Sequence, residues 1–205
     1  MSKLAKYFHV LAIGVRGHGG GSWTPGHDAW GMVSIDVAEF VEAVVGWPIV
    51  ISVNSSGGII TLRCASRVSK WVQGSHFGQA EINRSASSGA ISCFRLMVYA
   101  GTIGALFNLL KMYDPDFGRA FVDERMYGNF DHSAALSAMR CPMLELHPDW
   151  KRLPSYGLVG AMGDDDAKRI QQLVPQAQYR RVRAKHVIHV FRPRAFIREI
   201  VSFAK

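Results

Sequence analysis

With 205 residues, 48% of them apolar, the chain can bury the core of one globular domain with a small appended cap. The formal charge of +8 is dispersed: its densest basic group, Arg180, Arg181, Arg183 and Lys185, sits among apolar residues of an expected strand, which argues for a solvated face and against a nucleic-acid footprint. Cys64, Cys93 and Cys141 have no metal or redox spacing and read as free thiols of a reducing, cytoplasmic compartment; no signal-peptide pattern opens the chain, and the 15 residues between Arg95 and Lys111 fall short of a membrane span of ~20.

Residues Tyr7 to Val15 form a β-rich apolar run, and the glycine-dense turn Arg16 to Ser22 follows it. From about Met32 to Val45 the apolar residues recur at helical spacing opposite Asp36, Glu39 and Glu42, and Gly46 stops the helix. Ile49 to Val53 reads as a strand that breaks at Asn54-Ser55-Ser56-Gly57 and gives way to a helix from Gly57 to about Ser69. Strand, helix, strand, helix implies parallel strands joined by crossover helices.

The stretch Trp71 to Gly78 has the length of a short strand but is polar and broken by glycine, and Gln79 to Ser88 reads as loop. Helices are expected at about Ala90 to Met112, Asp116 to Tyr127 and Ser133 to Met139, so that residues 81–140 form a helical cap inserted between the halves 1–80 and 141–205 of an α/β body. Pro142 to Leu146 then reads as a strand, Lys151 to Gly163 as a loop, Asp164 to Leu173 as a helix, Tyr179 to Val182 as a strand and Arg194 to Phe203 as a closing helix.

A serine in a tight strand-to-helix turn stands above the sheet edge, beside the free N–H groups of a helix N-terminus. Those are the needs of a nucleophile. Ser55 occupies that place, with Ser56 as its rival. A serine nucleophile also needs a base and an acid that orients the base. His186 follows the strand Tyr179 to Val182, and Asp149 lies three residues beyond the strand Pro142 to Leu146, each at a strand's carboxyl end. Asp164, Asp165 and Asp166 lie in the same strand-to-helix connection as Asp149 and suit the capping of a helix N-terminus; Asp164 remains the alternative acid. No metal set can be assembled from His18, His189 and the other histidines, and no cofactor is implied.

Four motifs in order give the chain a resemblance to the α/β-hydrolase fold family: Arg16-Gly17-His18-Gly19, Asn54-Ser55-Ser56-Gly57-Gly58, Met143 through Asp149, and Ala184-Lys185-His186-Val187-Ile188-His189 followed by Arg192-Pro193-Arg194-Ala195-Phe196. The resemblance implies a mostly parallel α/β sheet with a helical cap, shortened at its N-terminus. It further implies a serine hydrolase of ester or amide bonds in a small, partly apolar substrate, with Ser55 as nucleophile, His186 as base, Asp149 as orienting acid and the Ser56 N–H as oxyanion donor. The apolar segment near Leu96 to Leu110 would line the acyl or leaving-group pocket.

Three departures from the family pattern bear on this expectation. Val53 stands where the first glycine of the G-x-S-x-G turn belongs, and Lys185 replaces the glycine before the histidine. Only residues 1–6 precede the first strand, whereas the family places three strands there and draws its second oxyanion donor from the connection after the third. The strands at Tyr7 to Val15 and Ile49 to Val53 are then left to pair directly, to leave a gap that another chain fills, or to expose edges through which a homodimer would form. Two alternatives to the hydrolase follow: a catalytically weak remnant acting as a binding or scaffold protein, and a nucleotide-binding protein that uses the Arg16 to Ser22 turn as a phosphate loop.

Overall fold

The computed structural model describes residues 3–27, 29–54, 57–67, 72–78, 114–149, 151–153, 157–159, 162–185 and 187–205. The expected helix at 90–112, the loop at 79–88 and Cys93 lie outside them, as do Ser55, Ser56 and His186. Four strands make the main sheet in the order β1 (Ile49–Asn54), β2 (Val72–Gly78), β3 (Met143–Pro148), β6 (Gln178–Val182). Every neighbouring pair is parallel. A separate antiparallel pair, β4 (Lys151–Leu153) and β5 (Gly157–Val159), occupies part of the stretch expected to be loop.

Helices cover both faces of the main sheet because each strand-to-strand crossover must pass over a face. On one side lie α1 (Trp30–Phe40), α2 (Gly57–Arg67), α4 (His132–Ser137) and α5 (Asp164–Leu173), which bury Ala38, Leu62, Leu136 and Ile170 against Met143. On the other, a short α6 (Ile188–Phe191) and the closing α7 (Pro193–Phe203) bury Ile188, Phe196 and Ile200 against Leu144, Leu146 and Val182. Side chains of that size contribute roughly 1.5–3 kcal/mol each when fully buried. A third cluster joins Trp30, Val33 and Ile59 to Phe117 and Ala120 of α3 (Pro115–Val122) and to Met126 and Tyr127. The expected helix over 116–127 thus ends earlier, and α1 continues through a π-turn at Val41–Val45 that closes at Gly46, whose φ of 63° suits glycine.

Tyr7 to Val15 is not a strand. The segment runs without regular structure, and β1 is left as the edge of the described sheet. Apolar, β-branched composition makes a strand only where a partner ladder accepts its backbone. The turn after it is well braced. Arg16 makes a bidentate ion pair with Asp36 of α1, with Nε and Nη2 each 2.6 Å from a carboxylate oxygen. Gly17, at φ 73°, lies against the Phe117 ring, and a side chain at Gly21 would overlap the Val15 carbonyl. The N–H groups of Gly17, His18 and Gly21 donate to Ser22, Val15 and His18 carbonyls at 2.9–3.0 Å, so the turn spends them internally instead of cradling a phosphate.

The strand β3 is buried along its whole length, including Glu145 and His147. Met143, Glu145 and His147 share a face by strand alternation, beneath the α2 and α5 layer. Neither Glu145 carboxylate oxygen has a hydrogen-bond partner among the described residues, and burial pushes its carboxyl up to about 8 from the ordinary 4.5. Cys64 and Cys141 are both buried, and burial raises the Cys64 thiol to about 11, which keeps it protonated and unreactive.

Two outcomes follow for stability. Because unfolding lets Glu145 release its proton near 4.5 while the folded chain holds it to about 8, stability should fall as pH rises between those values and be insensitive to this group below about 4.5. Chemical denaturation at several pH values should show that decline in the native protein and a flatter profile in Glu145→Gln.

Candidate active site

Parallel pairing places the carboxyl ends of β1, β3 and β6 along one edge of the sheet. Each of the three is followed at once by a candidate residue: Ser55, Asp149 and the loop that carries His186. Between the last residue of β1, Asn54, and the first of α2, Gly57, there are only Ser55 and Ser56.

The departure at Val53 acquires a physical answer here. A Cβ placed on Gly57 would lie 2.9 Å from the Val53 Cβ, closer than two such carbons approach. Val53 fills the space between strand and helix, and Gly57 is what makes room for it. The helix is then anchored by Ile59, Leu62, Cys64 and Ala65, all buried, while Thr61 Oγ1 donates to the Gly57 carbonyl at 3.0 Å. The N–H groups of a helix's first turn have no partner within the helix, and this helix opens two residues after Ser55.

Asp149 follows β3 directly. Its backbone N–H donates to the Ala184 carbonyl at 3.1 Å, which ties it to the loop two residues before His186. Its carboxylate lies 3.6 Å from Arg181 Nε. Asp164, at the start of α5, holds the same guanidinium through Nη1 at 2.5 Å, and that hydrogen bond raises the Arg181 pKa further above its usual value. The two candidate acids therefore meet on one cation. Asp165 pairs with Lys168 at 3.3 Å and Asp166 accepts the Gly163 N–H at 2.9 Å, the helix-terminal roles expected of them.

His147 is the residue that sequence reasoning did not single out. It is fully buried, with Nδ1 2.9 Å from the Tyr179 hydroxyl and 3.9 Å from Asp164. Burial, then the Arg181 charge, lowers its pKa and keeps it neutral. Its register partner on β6 is Arg181 itself. His147 thus forms the floor beneath the acid loop.

Around His186 the described neighbours hold the loop firmly. Arg192 Nε donates to the Arg183 carbonyl at 2.9 Å, and exposed Lys185 turns its ammonium over the Phe191 ring at 5.3 Å. His18 is a turn residue: its ring packs edge-on against Phe117 at 4.5 Å and its Nδ1 lies 3.2 Å from the Arg16 carbonyl. Among the described residues no cluster of three metal-ligating side chains occurs, and no helix is long and apolar enough to cross a membrane.

The conserved pattern of the Alpha/beta hydrolase family matches residues 1–199. No curated protein sequence matches the chain. Among solved structures it is similar to a hydrolase from Pseudomonas aeruginosa PA01, at 18% identity and a TM-score of 0.75, over 99% of this chain and 82% of that one. It is similar also to an enol-lactonase from Burkholderia xenovorans LB400, at 17% identity and a TM-score of 0.74, over 99% of this chain and 83% of the other. A thermophilic esterase from Thermogutta terrifontis matches at 17% identity and a TM-score of 0.67, over 93% of this chain and 77% of that one. With a family match across nearly its whole length and these folds superimposing on its sheet and helices, the chain belongs to the alpha/beta hydrolase family.

Proposed function

We propose that the protein hydrolyses an acyl bond, an ester or lactone in a small and partly apolar molecule, through Ser55, His186 and Asp149. The observation that carries this reading is the bond from the Asp149 N–H to the Ala184 carbonyl, which couples the acid loop to the histidine loop at the strand-end edge that also bears the serine turn. The esterase and enol-lactonase folds among its structural neighbours support the substrate class.

In this mechanism His186 removes the Ser55 hydroxyl proton as Oγ attacks the acyl carbonyl. The tetrahedral oxyanion is met by the Ser56 N–H at the start of α2, where the helix dipole adds positive potential. His186 then returns the proton to the departing alcohol, and a water activated by the same imidazole releases the acid and frees Ser55. Asp149 holds the imidazole in the tautomer that leaves its other nitrogen free to accept. The apolar segment 96–110 of the cap supplies the acyl or leaving-group wall.

The elbow makes its own demand. Gly57→Ala should cost about 1–3 kcal/mol of stability by overpacking against Val53, and Val53→Ala should recover most of that loss in the double variant, read by denaturant titration.

A fluorophosphonate probe should label the intact, folded protein, and Ser55→Ala or His186→Ala should abolish the label while Ser56→Ala retains it. With an aryl ester as substrate, Asp149→Asn should lower kcat about 10³–10⁴-fold and Asp164→Asn less than tenfold. Absence of labelling on folded protein would contradict the hydrolase reading and favour the binding or scaffold alternative. A loss on Asp164→Asn as large as on Asp149→Asn would reassign the acid.

A further inference from the structure

Acidic residues vanish from one stretch of the chain. Between Asp166 and Glu199 lie nine of the 24 Lys and Arg residues and none of the 16 Asp and Glu, so this stretch carries the whole formal excess of +8. The fold divides those cations into two groups. Arg180 and Arg198 lie 3.8 and 2.8 Å from the Glu199 carboxylate, Arg181 is held by Asp149 and Asp164, and Lys168 by Asp165. Arg183, Lys185, Arg192 and Arg194 are exposed and make no ion pair among the described residues.

These four form one patch. Arg192 Nε donates to the Arg183 carbonyl at 2.9 Å, which holds the start of α7 against the end of β6, and Arg194 follows two positions later. Lys185 Nζ stands 5.3 Å from the centre of the Phe191 ring. Among the cations α6 raises Val190 and Phe191, which are 61% and 50% exposed, while Ile188 of the same helix is buried. We propose that the patch from Arg183 to Arg194 docks on an anionic lipid bilayer, with its four cations at the headgroups and Val190 and Phe191 in the interfacial layer beneath them.

The pairing of charge with protruding apolar side chains selects that partner. The sequence alone places Arg180 to Lys185 on a solvated face; the fold adds Arg192 and Arg194 to it and sets an apolar pair in their midst. A polyanion such as duplex DNA would satisfy the cations and leave Val190 and Phe191 in water. A bilayer carrying negative headgroups meets both needs, because it attracts the cations and yields to side chains that stand out from the surface. The patch begins one residue after β6 ends at Val182, so docking would turn the strand-end edge of the sheet toward the lipid.

The test is flotation of the full chain with lipid vesicles, which reads binding without turnover and so stands apart from the hydrolytic reading. Vesicles of phosphatidylcholine with about 30% phosphatidylglycerol should carry the protein, and phosphatidylcholine alone should not. Arg183→Gln with Arg194→Gln should weaken binding about 25-fold, at about fivefold for each cation. Arg119→Gln with Arg169→Gln removes the same charge from exposed positions on α3 and α5 and should change binding less than about twofold. Val190→Ser with Phe191→Ser should weaken it about tenfold or more, with the thermal transition of every variant in place. Equal binding to the two kinds of vesicle, equal loss in the two arginine pairs, or no loss in the serine variant would overturn the proposal. So would tighter binding to duplex DNA than to the anionic vesicles, which would assign the cations to a polyanion.

Discussion

A parallel ladder obliges every strand in it to finish at the same edge, and in this protein β1 and β3 each finish one residue before a candidate residue, while β6 finishes four residues before His186. That edge gathers strand ends that lie far apart in sequence: 94 positions separate 55 from 149, and 37 separate 149 from 186. The ladder is held by β3, buried on both faces, with Leu144 and Leu146 packed under α7 and Met143 under the α2 and α5 layer. The site is therefore as stable as that central packing.

The elbow shows how a departure in sequence is absorbed in space. A valine at position 53 would spoil the approach of strand and helix if the next contact were any residue with a side chain. Gly57 removes that conflict, and the cost is that both positions become interdependent. The acid loop shows a different kind of dependence. Arg181 gathers Asp149 and Asp164, with neutral His147 beneath them, so that two carboxylates share one cation at a half-exposed surface. Solvent screens such pairs, and their role is to fix loop geometry more than to add stability.

Most of the helical frame was legible in the sequence because apolar periodicity and terminal signals agree there. The helix Asp164–Leu173, with three acidic residues in its first turn, is found at the expected bounds. The strand expected at Tyr7 to Val15 fails for a reason the sequence does not contain: strand formation needs a partner, and among the described residues none pairs with it. The strand Val72–Gly78 carries the opposite lesson, because a polar, glycine-broken stretch pairs on both sides with β1 and β3. Glu145 and His147 were missed as buried groups because Leu144-Glu145-Leu146-His147 reads as a half-exposed alternating strand. Only the second helical layer, assembled from residues far away in sequence, closes over the polar face. At the site, the chain order of Ser55, Asp149 and His186 is an expectation from sequence, with Ser55 and His186 outside the described residues, whereas the Ala184 tether of Asp149 and the Arg181 clamp depend on loops whose meeting no local pattern encodes.

The central claim is that the edge formed by β1, β3 and β6 carries out acyl transfer through Ser55. The most direct measurement is mass spectrometry of the protein quenched shortly after mixing with an aryl acetate, followed by peptide mapping of the acetyl group. The account predicts acetyl on Ser55 that forms and decays with turnover and is absent in His186→Ala. Acetylation confined to lysines, or unchanged when His186 is replaced, would contradict it.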